Sequence, residues 1–339
     1  MRVLIIGGTR FIGPCVAHQL IAKGHRVTVF HRGQTEGHFP SIVSHIHGDR
    51  RHLSAFKEEF AYIAPQVVLD MIAYTETDAL AVRHTFKGLA RRVVTLSSGD
   101  VYRVLDRLRR LQPGSPDPIP LSEAAPLRET LYPYRSMAAG TDDMKYTYDK
   151  IPVERAVAGD TELPGTILRL PAVYGPGDYQ HRLFDYLKRM DDRRPAILLE
   201  EGAARWRWTR GYIDNVAAAI ALAVTDERAV GRIYNVGEEE ALSEAEWVRA
   251  TGRAAGWNGV VMAVPRDMLP KHLINDYDWQ HHLVYDTTRL RAELGYAENI
   301  AREDALERTV AWERAHPPEK VDDSRFDYGA EDAALARLQ

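Results

Sequence analysis

Val3-Leu-Ile-Ile-Gly-Gly-Thr-Arg-Phe-Ile-Gly13 is the stretch that decides the fold. It reads as a β-strand, a glycine turn and the start of a helix. Gly7 allows the tight turn, and Gly13 lets the helix pack close to the strand. The free N–H groups of the helix's first turn then attract a pyrophosphate. A glycine trio alone is weak; here it follows the first strand of a βαβ unit, which is the confirming context. Gly7, Thr9, Arg10, Phe11, Ile12 and Gly13 are therefore candidates for holding a dinucleotide.

Outward from this stretch, short β-branched runs recur at Arg26–Phe30, Gln66–Asp70, Arg92–Leu96 and Thr166–Leu170, with helix-like stretches between them. Near-continuous apolar strands separated by helices mean a parallel sheet covered on both faces. The expected class is α/β, a Rossmann-type doubly wound sheet. Between Tyr102 and Arg135 lie Pro113, Pro116, Pro118, Pro120, Pro126 and Pro133. This segment cannot be one helix or a central strand. Such a segment is functional, mobile or a disordered surface insertion. After Tyr174 the pattern loosens. A helix is expected over Asp214–Val224 and a strand over Arg232–Val236. A capping box, Ser243-Glu244-Ala245-Glu246, opens another helix, and a last one fits Arg302–Ala315 before His316-Pro317-Pro318. The expected organisation is a dinucleotide-binding domain over 1–175, interrupted by the insertion 103–135. A smaller substrate lobe follows over 176–315, with strands or helices able to return to the sheet. A polar tail, 316–339, is expected to dock loosely.

Composition narrows the class. The 339 residues include 44 Lys plus Arg and 48 Asp plus Glu, a net charge of −4. With 45% apolar and 27% charged residues, disorder and collagen-like classes are excluded. The near-neutral balance argues against an electrostatic nucleic-acid binder. Cys15 is the only cysteine, so no intrachain disulfide or multi-thiolate zinc site can form. His38, His45, His47 and His52 fit no metal-ligand spacing, and no metal is expected. The longest wholly apolar run, Val216–Val224, is far short of the ~20 residues that span a bilayer. The apolar N-terminus is too short for a signal peptide. A soluble cytoplasmic protein is expected.

Two further stretches carry chemistry. The second strand ends in Phe30-His31-Arg32-Gly33. A ribose 2′-OH is usually held by an acid about 20 residues past the glycines; Arg32 stands there instead, and Arg10 lies in the glycine loop. Two guanidinium groups can clamp a 2′-phosphate, which favours NADP over NAD. Alternatively, Arg32 covers the adenine face of either cofactor. The other stretch is Tyr146-Thr-Tyr-Asp-Lys150, next to an expected helix over Lys150–Val157. Residues four apart share a helical face, so the spacing places the Lys150 ammonium near the Tyr146 phenol and lowers its pKa from about 10. A phenolate can take a proton from a substrate hydroxyl while a hydride leaves. Tyr148 has no lysine four residues on and is set aside.

These pieces occur in one order with Ser97-Ser98-Gly99-Asp100-Val101-Tyr102 and Leu168-Arg-Leu-Pro-Ala-Val-Tyr-Gly-Pro-Gly177. Together they resemble the extended short-chain dehydrogenase/reductase family, and within it the NAD(P)-dependent nucleotide-sugar epimerases and dehydratases. The resemblance covers roughly residues 1–315. It implies that Ser98 hydrogen-bonds the reacting oxygen, Tyr146 is the base and Lys150 its helper and nicotinamide-ribose ligand. It also implies that Asp49 contacts adenine and that Ala73 lies against the cofactor. Pro171 to Val173 would lie near the carboxamide, while Tyr174 and Arg207 face the substrate, Arg207 as a diphosphate ligand. Pairing as a homodimer is implied as well.

Three departures stand out. Arg10 replaces the usual middle glycine, as in an atypical branch that includes chloroplast stem-loop RNA-binding proteins. Where 4,6-dehydratases carry an Asp-Glu pair, this chain has Gly99-Asp100, so Asp100 is either one acid or base or only a turn residue. The segment between Tyr102 and Tyr146 is long for an epimerase. The expected function is an epimerase or dehydratase acting on a sugar or nucleotide-sugar. Its alternatives are an NADPH-dependent reductase of a small carbonyl substrate and a non-catalytic dinucleotide-bound or RNA-binding protein.

Overall fold

The computed structural model describes residues 1–35 and 37–338. Seven parallel strands form one sheet in the order β3-β2-β1-β4-β5-β6-β10. They are β1 (Arg2–Ile6), β2 (Arg26–His31), β3 (Ser44–His47), β4 (Val67–Asp70), β5 (Arg92–Ser98), β6 (Gly165–Leu170) and β10 (Ile233–Asn235). The order reverses between β1 and β4, so the ligand crevice of such a sheet falls beyond their carboxyl ends. Four short strands lie outside: β7 (Ala172–Tyr174) pairs with β9 (Arg210–Tyr212), and β8 (Ala196–Glu200) with β11 (Val260–Val264).

Strand periodicity builds two cores. Val3 and Ile5 point to one face and Leu4 and Ile6 to the other, all essentially without exposed surface. Each such side chain contributes roughly 1.5–3 kcal/mol by burial. The first face is covered by α1 (Ile12–Ala22). The second takes α2 (Lys57–Ile63) and α3 (Glu76–Phe86). In the insertion lies α4 (Val104–Leu108), and α5 (Met144–Thr147) and α6 (Lys150–Val157) follow it. Helix α6 packs beside α3 on the second face. The lobe is framed by α7 (Phe184–Asp191) and α8 (Glu201–Arg205). Next, α9 (Ile213–Thr225) returns to the first face beside α1, its Ala217–Ala219 allowing close approach. Lobe helix α10 (Glu244–Ala255) is followed by α11 (Thr288–Leu294) and α12 (Arg302–Ala315), both of which bury leucines in the first core. Residues 213–235 thus belong to the main sheet although they follow residue 175.

The proline-rich insertion is an ordered part of the body. A buried polar spine fastens it. Glu154 accepts from Ser97 Oγ (2.6 Å) and pairs with Arg169 (2.7 Å). Arg169 also donates to the Tyr102 hydroxyl and to the carbonyl of Glu123 in the insertion. Tyr102 donates to Asn235, which donates in turn to the carbonyl of Leu121. The tail does not dock loosely either. Its helix α13 (Tyr328–Leu338) buries Ala334 and Glu331, and Glu331 pairs with Arg189 of α7 at 2.7 Å. Burying that carboxylate without its guanidinium would cost several kcal/mol, so the pair specifies where the tail lies. No described helix is long and apolar enough to cross a membrane.

Candidate active site

The glycine turn is built for close approach. Gly7 and Gly8 have φ of +80° and +75°, and a Cβ on Gly13 would stand 1.9 Å from the Gly8 carbonyl oxygen. Helix α1 has no side-chain cap and no acid in its first turn; its Gly13 N–H donates to the Arg10 carbonyl and Pro14 has none, so the Ile12 N–H is the one of its first three residues that an anion would meet. This is the fit a dinucleotide pyrophosphate requires. The structure also accounts for Arg10 at the usual glycine position: Arg10 does not take a positive φ, and the non-glycine residue of the loop that does is its neighbour Phe11, at 49°. Phe11 meets Tyr179 edge-on at 6.4 Å, and the Thr9 and Thr35 hydroxyls lie 2.7 Å apart. Ile12 opens α1. Arg10 and Arg32 are both exposed, Arg32 directly after β2. Asp49 is engaged by its neighbour: Arg51 grips its carboxylate bidentately and holds it down at about pH 2.

Lys150 is buried where β4 and β5 end. Its ammonium donates to the carbonyls of Ala73 (2.6 Å) and Leu96 (2.9 Å). Burial lowers its pKa to about 8, against the opposing charges of Asp70 and Asp100. That ammonium lies 5.0 Å from the centre of the Tyr74 ring and 5.7 Å from that of Tyr148. Asp70, which sequence reasoning passed over, is salt-bridged bidentately to Arg50 below the crevice.

The tyrosine here is not the expected one. Tyr146 and Lys150 do not share a helix: Tyr146 sits in α5, Lys150 opens α6, and Tyr148 and Asp149 between them are extended. The cause is a cap. Asp149 accepts from the N–H of Ile151 (2.9 Å) and so starts α6 at Lys150. Buried Arg128 of the insertion holds the same Asp149 oxygen at 3.1 Å, and the N–H of Tyr132 donates to the other at 2.7 Å. The Tyr146 ring instead lies under the Arg135 guanidinium, whose Nε donates to the Tyr146 carbonyl.

It is Tyr148 that reaches the group. Its hydroxyl donates to Asp100 Oδ2 at 2.9 Å, and the Ser98 hydroxyl, which accepts from the Asp100 N–H at 3.2 Å, lies beside the same phenol and acts to lower its pKa. Tyr134, from the insertion, donates to Asp100 Oδ2 at 3.1 Å. Asp100 Oδ1 is buried with no hydrogen-bond partner among the described residues. Burial, and then the Asp100 charge, push the Tyr148 phenol well above its usual range, opposite to the lowering expected beside a lysine. Burial raises the Asp100 carboxyl too. The missing half of the dehydratase pair has a steric reason: a Cβ on Gly99 would lie 2.1 Å from the Tyr285 hydroxyl.

Beside this group, between the insertion and the lobe, opens a cavity of about 830 Å³, which Tyr134 and Leu108 line together with Tyr174, Trp206, Trp208 and Trp279. Tyr174 is buried and donates to Glu238 at 2.8 Å. Arg207 corrects another expectation. On the extended stretch 206–208 the tryptophans face the cavity, whereas Arg207 donates to the Ala241 carbonyl and lines a separate hollow with Arg291. The arginines that do line the cavity are mostly paired, Arg210 with Glu244, Arg189 with Glu331 and Arg182 with Asp178. Arg109, directly after α4, has no carboxylate partner among the described residues; it donates to the Pro133 carbonyl and stands 5.4 Å over Tyr134. Pro171 packs on Gly211 and Gly237, and Val173 is buried in β7. No group of three metal-ligating side chains occurs among the described residues.

Comparison with known proteins agrees with this fold. The pattern of the NAD dependent epimerase/dehydratase family matches residues 3–237. The 2'-dehydrokanamycin reductase of Streptomyces kanamyceticus is 26% identical over 80% of this chain and 72% of its own length. The chloroplast stem-loop binding protein of 41 kDa b of Arabidopsis thaliana is 23% identical over 76% of this chain and 64% of its own length. The Bordetella bronchiseptica enzyme WbmG, solved in complex with NAD and UDP, superposes with a TM-score of 0.69 at 17% identity, covering 93% of this chain and 96% of its own.

Proposed function

This chain belongs to the NAD-dependent epimerase/dehydratase family, and on that premise we propose that it is an NAD(P)-dependent enzyme that oxidises and re-reduces a hydroxyl-bearing carbon of a sugar or nucleotide-sugar. One observation carries the reading. The glycine cradle of β1–α1 and the Ser98–Tyr148–Lys150–Asp100 group lie at the carboxyl edge of one sheet, on the two sides of its switch point. When bound, the pyridine nucleotide supplies a reversible hydride acceptor.

The chain's residues would divide the work. Gly7 to Gly13 hold the pyrophosphate, Arg10 and Arg32 meet a 2′-phosphate, and Asp49 releases one oxygen from Arg51 to adenine. Ala73, Pro171 and Val173 bound the nicotinamide pocket. Ser98 and a phenol orient the substrate oxygen. The resemblance assigns that phenol to Tyr146, but the geometry favours Tyr148, the one bonded to Asp100 and near Lys150. Tyr134 joins the cavity to this group. Indole faces suit the apolar C–H faces of a sugar ring, and Arg109, with no carboxylate partner among the described residues, offers a cation to an anionic substituent.

A net reductase is the second reading. Arg10 and Arg32 favour it, because an enzyme that spends its cofactor is served by NADPH. Likeness to a reductase over most of the chain points the same way. Titration of the full chain with NADP(H) and NAD(H) tests both readings: one dinucleotide is expected per chain, NADP the tighter. Binding of neither would refute both. A screen of nucleotide sugars, free sugars and small ketones then separates them. Stoichiometric NADPH consumption marks the reductase, and turnover without net consumption marks the epimerase or dehydratase.

A further inference from the structure

We propose that Asp100 is the terminal proton acceptor of a two-proton relay, running from the substrate hydroxyl to Tyr148 and from Tyr148 to Asp100, with Tyr134 fixing the carboxylate. The proposal rests on the hydride-transfer reading above and changes where the proton ends.

The direction of the hydrogen bonds is the argument. A phenol ready to act as an anionic base should be surrounded by donors. Tyr148 instead gives its own proton to Asp100 Oδ2 at 2.9 Å. Ser98 lies beside the phenol, and the phenol oxygen, which gives its proton to Asp100, keeps acceptor capacity for a substrate hydroxyl. Asp100 is held tightly. Tyr134 donates to the same Oδ2, its own N–H donates to Ser98 Oγ at 3.2 Å, and Arg128 grips its carbonyl at 2.5 Å. The unpartnered, buried Oδ1 leaves this carboxylate under-solvated, which makes it a stronger base than an exposed one. The charged and titratable groups facing it are Tyr134, Tyr148, Tyr285, Lys150 and Arg128. Tyr285 fills the space beside Gly99, so no second carboxylate competes for the proton.

The step balances. The substrate C–H bond breaks, and hydrogen leaves with its electron pair to the oxidised pyridine nucleotide. The substrate O–H proton moves to the Tyr148 oxygen as the Tyr148 proton moves to Asp100 Oδ2, and a carbonyl forms. Reduction runs the same path backwards. Asp100 never touches the substrate; it acts through Tyr148.

The test needs no substrate at first. In full-length protein carrying [13Cζ]tyrosine, with Tyr148→Phe identifying the signal, the Tyr148 resonance should stay that of a neutral phenol through about pH 9. A Tyr148 that ionises near neutral pH would overturn the relay and leave the hydride-transfer reading standing. Failure to bind any dinucleotide would do the reverse, with the resonance still readable. On a substrate identified by screening, Asp100→Asn should lower turnover by about 100-fold or more at unchanged dinucleotide affinity; turnover within threefold of the parent contradicts the proposal. Tyr134→Phe removes one donor from the carboxylate and should move the acidic limb of the kcat/KM profile to higher pH. A purely structural Asp100 would leave that limb in place.

Discussion

The proposed dinucleotide cradle and the proposed proton-handling group sit on one sheet edge yet are assembled in different ways. The cradle comes from one continuous run, β1 to Arg32, and its working parts are mostly backbone: two left-handed glycines, a glycine pressed against a carbonyl and a bare helix start. The proton group draws Ser98 and Asp100 from the end of β5, Tyr134 and Arg128 from the insertion, and Tyr148 and Lys150 from the start of α6. Backbone sites follow from the order of residues. Side-chain sites follow from where a helix begins, and one cap decides that.

The sharpest way to break this contrast is to remove each tyrosine in turn. Tyr148→Phe should cost about 10²–10⁴ in turnover, the range of a lost acid–base group, with dinucleotide affinity unchanged. Tyr146→Phe should leave turnover within a few-fold. The reverse pattern would return the role to the Tyr-x-x-x-Lys spacing. On the cradle side the expected effect is smaller. Arg32→Asp should shift the NADP/NAD affinity ratio toward NAD by about tenfold, on the order of one charge-assisted contact. A ratio that does not move would mean that Arg32 covers adenine and reads no phosphate.

Much of the fold was legible because strand and helix periods are local. β1, β6, α10 and α12 fall where the pattern of apolar residues and the Ser243 capping box place them. The proton group was only half legible. Ser98, Asp100 and Lys150 lie near one another, and the phenol beside them is two residues from the one the spacing pointed to. The signal was present in Asp149 and Pro152. An aspartate directly before a helix is a strong N-cap, and a proline belongs in a helix's first turn, not its interior. Together they forbid one helix from Tyr146 through Val157. The resemblance pointed Arg207 at the substrate, but its backbone N–H donates to His282 and its guanidinium to the Ala241 carbonyl, contacts set by tertiary packing. Tyr134, Arg128 and Tyr285 carry no motif; they reach the site through the insertion and the lobe, contacts that no local pattern encodes.

The most direct measurement is a crystal structure of the full chain with NADP bound. The account predicts pyrophosphate against the Gly7–Gly13 turn and the Tyr148 hydroxyl on the nicotinamide side of the crevice, still bonded to Asp100. Nicotinamide facing Tyr146, or a crevice closed to the dinucleotide by side chains, would contradict it.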